Sequence, residues 1–271
     1  MPELPEVEVV RTGLEPCLIG RRILTVTCHR PSLRYPLPDM GSLSGSRIVA
    51  VRRRSKYLLI EVSDGRVLVW HLGMTGQFHV LGSEVSAGKH EHVRIDLDDG
   101  TSLRYRDARR FGYAGLLAAD QLAEHPWFAT LGPEPLGDAF NGAYLAELCR
   151  GRKAPIKTVI MDAHVVVGVG NIYAAESLFR AGIHPGRAAG RIAGARLDLL
   201  ASSIRDVLRE AISAGGSTIS DFVRADGRPG YFAHAFQVYG RKGQPCLVCG
   251  EGIRRIQQSG RSSFYCIRCQ H

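Results

Sequence analysis

The chain has 271 residues, enough for one large domain or two smaller ones, and its 45% hydrophobic and 23% charged content is that of an ordinary folded protein. Lys and Arg number 35 against 26 Asp and Glu, a net charge of +9 that directs attention to a polyanionic partner, nucleic acid first. No long apolar run, basic amphipathic segment with a bulky apolar face or signal-peptide pattern occurs, which argues against a membrane protein and predicts a cytoplasmic one.

The chain opens Met1-Pro2-Glu3-Leu4-Pro5-Glu6. Removal of Met1 leaves a secondary amine, and an α-amino group titrates at about 7.7–8.0 against about 10.4 for a lysine side chain. A useful fraction is therefore unprotonated at neutral pH. Such an amine can attack a carbonyl or a sugar C1′ to give an imine-type intermediate, with a carboxylic acid such as Glu3 supplying or removing protons. Proline and acidic residues are also ordinary at a helix start, so these residues alone leave both readings open. Pro5 to Leu14 predicts a short helix with Val7, Val10 and Leu14 on one side and Gly13 near its end.

A series of β-rich runs follows: Arg22 to Cys28, Arg47 to Arg52, Tyr57 to Val62, Arg66 to Leu72, Gln77 to Leu81, His92 to Leu97, Thr101 to Arg106 and Tyr113 to Leu117. Asp64-Gly65 and Asp99-Gly100 predict hairpin turns. In His92 to Leu97 apolar and polar residues alternate, as a sheet packed on one face requires. The first ~120 residues thus predict an antiparallel sandwich or barrel with the N-terminal helix laid against it. The run Arg52-Arg53-Arg54-Ser55-Lys56 between two strands reads, by itself, as a solvated face as readily as a binding one.

Composition changes after Leu131-Gly132-Pro133-Glu134-Pro135, which reads as a linker. Helical spacing then appears in Gly142 to Cys149, Pro155 to Met161, Asn171 to Ala181 and Arg196 to Ala214, with Gly215-Gly216 as the stop. Val165 to Asn171 predicts a glycine turn with Asn171 as an N-cap side chain. The glycines there serve either a phosphate at the helix start or close helix packing. Asp226-Gly227-Arg228-Pro229-Gly230 predicts a loop.

Seven cysteines are present, and four crowd the C-terminal end as Cys246-x-x-Cys249 and Cys266-x-x-Cys269. Two such pairs have the spacing of thiolate knuckles closing one tetrahedral zinc site on a short hairpin. Two disulfides are the competing reading, disfavoured in a cytoplasmic chain that also carries Cys17, Cys28 and Cys149. Four thiolates leave no open coordination position, so the expected role of the single Zn2+ is structural.

Taken together, Met1-Pro2-Glu3-Leu4-Pro5-Glu6-Val7-Glu8, Lys56-Tyr57-Leu58-Leu59, His71-Leu72-Gly73-Met74, Arg109-Arg110-Phe111-Gly112, Gly168-Val169-Gly170-Asn171-Ile172-Tyr173 and Val238-Tyr239-Gly240-Arg241 before the cysteines resemble bacterial formamidopyrimidine-DNA glycosylases. The resemblance spans the chain. It implies an α+β fold: an N-terminal antiparallel β-sandwich flanked by helices at 1–132, a linker and first helix at 133–150, a helix-two-turn-helix DNA-binding domain with a lesion loop at 151–235, and a zinc finger at 236–271.

The same resemblance implies a bifunctional glycosylase and AP lyase of base excision repair, acting on oxidised purines such as 8-oxoguanine and formamidopyrimidines. Pro2 would be the nucleophile, Glu3 the acid that helps open the sugar, Lys56 a phosphate-binding lysine that assists proton transfer, and Glu6 a supporting carboxylate. Arg261 would aid δ-elimination. Met74, Arg109 and Phe111 would fill the gap left by the everted base, Arg109 facing the orphaned cytosine, although Met and Phe are more often core residues. His90, Arg109, Arg152, Asn171 and Tyr239 would contact the DNA. The loop from Ser217 to Tyr231 would close over the flipped base. The implied partner is duplex DNA with an oxidised purine opposite cytosine, bound by a monomer in the bacterial cytoplasm and nucleoid. Arg152 stands where relatives often have lysine, and Ala108 where a proline is common. Endonuclease VIII-like enzymes, which favour oxidised pyrimidines, and a non-catalytic zinc-containing DNA-binding protein are the alternatives.

Overall fold

The computed structural model describes residues 2–217 and 236–271, and they fall into two compact units, 2–129 with 214–217 and 130–213 with 236–271. Apart from Ser217, the expected lesion loop and the turn at Asp226 to Gly230 lie outside the described residues.

The first unit is an antiparallel sandwich with a helix on it. Helix α1 (Leu4–Leu18) is followed by β1 (Ile23–Cys28), β2 (Ile48–Arg54), β3 (Tyr57–Val62), β4 (Arg66–His71), β5 (Gly76–Gly82), β6 (Glu91–Leu97), β7 (Thr101–Asp107) and β8 (Tyr113–Ala118). One sheet has the order β1-β6-β7-β5 and the other β2-β3-β4-β8, all pairs antiparallel. Every predicted strand is present. The β3–β4 and β6–β7 hairpins close through three residues each, Ser63-Asp64-Gly65 and Asp98-Asp99-Gly100, whose final glycines have φ of +84° and +78°. That is the three-residue hairpin geometry with a left-handed last position.

Alternate residues of both sheets meet in one core with α1, including Val7, Val10, Leu14 and Leu18 of the helix, Val51, Leu58 and Ile60 of one sheet, and Phe78, Val93 and Ile95 of the other. Trp70, Phe78 and Tyr105 pack ring against ring at its centre, with centroids 4.4–5.2 Å apart. Each such side chain removed from water contributes roughly 1.5–3 kcal/mol, which is what fixes the helix on the sheets. Helix α1 also runs a turn beyond the end predicted at Leu14. Burial of Leu14 and Leu18 carries it through both Gly13 and Pro16, packing outweighing local propensity.

In the second unit, α2 (Gly142–Cys149), α3 (Ile156–Ile160), α4 (Asn171–Arg180) and α5 (Gly194–Ser213) precede the hairpin β9 (Arg254–Gln258) and β10 (Arg261–Tyr265). The buried face of α5, Leu197, Leu200, Ile204, Val207, Leu208 and Ala211, packs on α2 and α4 with the period read from sequence. The hairpin does not stand alone. Ile253, Val238, Cys246 and Cys266 share a small core with Ala175 and Phe179 of α4. Among the described residues, no helix is long and apolar enough to cross a membrane.

Candidate functional site

The start of α1 brings Pro2, Glu3 and Glu6 together, all three buried. Glu3 is the N-cap residue, and its N–H donates to Glu6 Oε2 at 2.8 Å, so the carboxylate satisfies a helix-start donor. The other oxygen, Oε1, accepts from the Ser217 N–H at 2.9 Å and the Ser217 hydroxyl at 2.8 Å. Glu6 is thus committed to holding the backbone around Pro2 and the chain at Ser217. In the sequence as written Pro2 nitrogen is joined to Met1, and it becomes a basic amine when that bond is cut.

Lys56 sits at the tip of the β2–β3 hairpin. Arg54 pairs with Tyr57, leaving Ser55 and Lys56 as a two-residue turn, and Ser55 takes φ +57°. Arg53, just before the turn, donates to Glu8 of α1 at 2.8 Å, which fastens this hairpin end to the helix that carries Glu3 and Glu6. The solvated-run reading fails for Lys56 and Arg53, which are partly buried, while Arg52 is exposed.

Met74 and Phe111 are exposed, at 39% and 42%. That removes the core reading for both, since two large apolar side chains stand in solvent on neighbouring loops. Met74 lies between β4 and β5, Phe111 between β7 and β8. The loops touch closely: Gly73 has φ +64°, and a Cβ there would stand 2.3 Å from the carbonyl carbon of Phe111. Arg109 stacks its guanidinium over the Phe111 ring, 4.6 Å from the centroid. His90 adjoins the same place, its carbonyl accepting the Asp107 N–H at 3.0 Å. A shallow pocket of about 440 Å³ holds His29, His90, His92 and Arg110 along its wall.

In the second unit, Asn171 is the first residue of α4 and Gly170 its N-cap, one position earlier than the sequence predicts. Its amide oxygen is bound instead to Lys157 Nζ at 2.6 Å. Lys157, buried on α3, also donates to Ser263 Oγ at 2.7 Å and the Ser262 carbonyl at 3.0 Å. One ammonium therefore joins the α4 start to β10 next to Arg261, a link missed from sequence. Its only signal was a lysine inside the apolar run Ile156 to Ile160. Glu176 is a second such residue. Its buried carboxylate accepts the N–H groups of Gln237, Val238 and Tyr239 at 2.8–3.1 Å, placing Tyr239 against Phe264. Arg152 is exposed ahead of α3, and Arg261 is exposed at the hairpin tip.

The four C-terminal cysteines have their Sγ atoms within 4.8 Å of one another, and all four are free thiols. Cys246 and Cys269 are 3.8 Å apart and Cys249 and Cys266 3.4 Å. Four sulfurs about 2.3 Å from a central tetrahedral zinc stand about 3.8 Å from each other, so the set fits one zinc ion. Burial raises the Cys246 thiol, but the N–H groups of Val248 and Cys249 together with the Cys249 and Cys266 thiols bring it down to about 7, while burial and the neighbouring thiols hold Cys266 and Cys269 above the usual thiol range.

The chain matches the family models for the formamidopyrimidine-DNA glycosylase N-terminal domain over residues 1–114, its H2TH domain over 131–223, and the zinc finger found in FPG and IleRS over 243–271. It is 51% identical to the formamidopyrimidine-DNA glycosylase of Alcanivorax borkumensis, with 100% of both chains covered. The chain belongs to the formamidopyrimidine-DNA glycosylase family. Solved structures agree with this assignment. A Lactococcus lactis FPG variant with DNA containing Fapy-dG superposes at TM-score 0.93, with 33% identity and all of both chains covered. The wild-type Lactococcus lactis FPG with DNA containing an oxidised pyrimidine superposes at 0.92, again at 33% identity over both whole chains.

Proposed function

We propose that Pro2, freed of Met1, is the nucleophile with which this chain removes oxidised purines from duplex DNA and then cuts the strand. The chain is a DNA glycosylase with the AP lyase activity of its family. The observation that carries the assignment of Pro2 is the construction at the start of α1: two buried acidic residues, Glu3 and Glu6, follow a buried proline that is one bond from being an N-terminal amine. Glu6 is held by the Glu3 N–H and by Ser217, and we assign proton transfer to Glu3, whose carboxylate accepts the Glu6 N–H in the reciprocal capping box.

The amine attacks C1′ of the damaged nucleotide as its bond to the base breaks, and Glu3 protonates the opening sugar. The resulting iminium acidifies the C2′ proton. Loss of that proton expels the 3′ phosphate, and a second elimination expels the 5′ phosphate. Lys56 binds a phosphate beside the lesion and Arg261 assists the second elimination. The base must leave the stack first, at a few kcal/mol, and the exposed Met74, Arg109 and Phe111 fill its place, with Arg109 toward the orphaned cytosine. His90, Arg152, Asn171 and Tyr239 hold the backbone, and such contacts position without reading sequence. Four clustered cysteines hold one structural zinc. We read the enzyme as a cytoplasmic monomer divided as the sequence predicts, 1–132, 133–150, 151–235 and 236–271.

The test is an end-labelled duplex with 8-oxoguanine opposite cytosine, incubated with and without borohydride. A one-nucleotide gap bearing phosphates on both sides is expected, and in borohydride a covalent adduct whose peptide map ends at Pro2. Full trapping by Pro2→Ala through another residue would displace the assignment. A thymine glycol duplex run alongside measures the oxidised-pyrimidine alternative, and faster cutting there would favour it.

A further inference from the structure

Asp107 closes β7 and is fully buried, and both of its oxygens are occupied by donors. Oδ1 accepts the Thr75 hydroxyl and the Arg109 N–H at 3.2 Å. Oδ2 accepts the Gly112 N–H at 2.8 Å and the Tyr105 hydroxyl at 3.3 Å. The Arg109 N–H also reaches Thr75 Oγ1 at 3.1 Å. Tyr105 lies on β7 itself, and the other three donors come from two separate loops. Thr75 directly follows Met74, while Arg109 and Gly112 bracket Phe111. One carboxylate therefore ties together the two segments whose apolar tips stand in solvent, and the close approach of Gly73 to Phe111 fills the seam between them.

We propose that Asp107, acting through Thr75, is a positioning residue for base eversion: it holds Met74, Arg109 and Phe111 as one preformed wedge. The inference rests on the reading that these three side chains enter the vacated stack. Loops ordered only during insertion would lose part of their binding energy to that ordering, and a preformed wedge avoids the loss. The four partners all donate, so the group acts as a carboxylate. In Asp107→Asn an NH2 would face two donors whichever way the amide turned. Thr75 is needed as a hydroxyl, because it donates to Asp107 and accepts from Arg109 at once.

The experiment compares Thr75→Val, Thr75→Ser, Asp107→Asn and Phe111→Ala with the unaltered enzyme on two duplexes. The first carries 8-oxoguanine opposite cytosine with a neighbouring 2-aminopurine, so that stopped-flow fluorescence reads opening of the stack. The second carries an abasic site, where no base has to be everted. Thr75→Val should slow both the fluorescence rise and excision about tenfold, as expected for a misplaced group outside the chemistry. Cleavage at the abasic site should stay within about twofold, since that step needs no wedge. Thr75→Ser should restore both rates. Asp107→Asn should match Thr75→Val, and if it does not fold, the threonine pair still decides. Normal opening by Thr75→Val while Phe111→Ala is slow would overturn the role of Asp107 alone. Equal losses on both duplexes would also overturn it, marking general damage. Normal opening by Phe111→Ala would overturn the wedge reading itself, and the inference with it.

Discussion

His71 shows how one side chain can couple the proposed site to pH. Its ring stacks on Tyr113 at 4.9 Å and meets Tyr57 edge-on at 5.2 Å, while Nδ1 accepts the Gly73 N–H at 3.1 Å. Burial, with the nearby charges of Lys56 and Arg34, lowers its pKa from 6.5 to about 4. Between these values the unfolded chain holds more protons than the folded one, so stability rises with pH across that window. The contribution is complete above about pH 6.5 and is lost as pH falls toward 4. Replacing His71 with Phe should shrink the difference in urea unfolding free energy between about pH 7.5 and 4.5 by about 2 kcal/mol. An unchanged difference would show that the imidazole titrates normally. Pro2, Glu3 and the four cysteines stand out in the sequence because adjacency or spacing carries their chemistry. Lys157, Glu176 and Asp107 do not, since each derives its meaning from donors or acceptors far along the chain.

Among the elements, the zinc hairpin is the one that depends most on something other than its own packing. Strands β9 and β10 turn at Ser259 and Gly260, with φ of +47° and +74°, the two left-handed positions of a tight hairpin turn. Among the described residues, the apolar contact with α4 is small: buried Ile253, Val238, Cys246 and Cys266, with partly buried Tyr239, Cys249, Phe264 and Cys269 beside them. So little burial leaves metal binding to supply much of the local folding free energy. Cys249→Ser should lose the zinc, read as metal per chain, and weaken duplex binding about tenfold or more as Arg261 loses its support. Unchanged affinity in a metal-free variant would sever the hairpin from DNA binding. The strands were readable because alternation follows the pleat and the turns carry Asp-Gly. Helix limits were less so: α1 runs past the predicted end at Leu14, because Leu18 still finds the core.

At the scale of the molecule, the excess of nine positive charges implies that release of counterions from DNA supports binding. The logarithm of affinity should fall steeply with the logarithm of salt concentration, and Arg152→Ala should reduce the slope by about 0.9 if that side chain neutralises one phosphate. A flat response in the unaltered protein would remove the electrostatic basis of the reading. Composition, strand alternation, the cysteine spacing and the order of the motifs were enough to determine the sandwich, the helical unit, the metal knuckle and the family, because these are local patterns or counts. Tertiary structure alone decided that Met74 and Phe111 face solvent rather than the core, and that Lys157 holds Asn171 to the hairpin. It alone decided that Asp107 binds two loops into one surface. Exposure and long-range hydrogen bonds depend on which distant segments meet, and residue order records that only through the packed core.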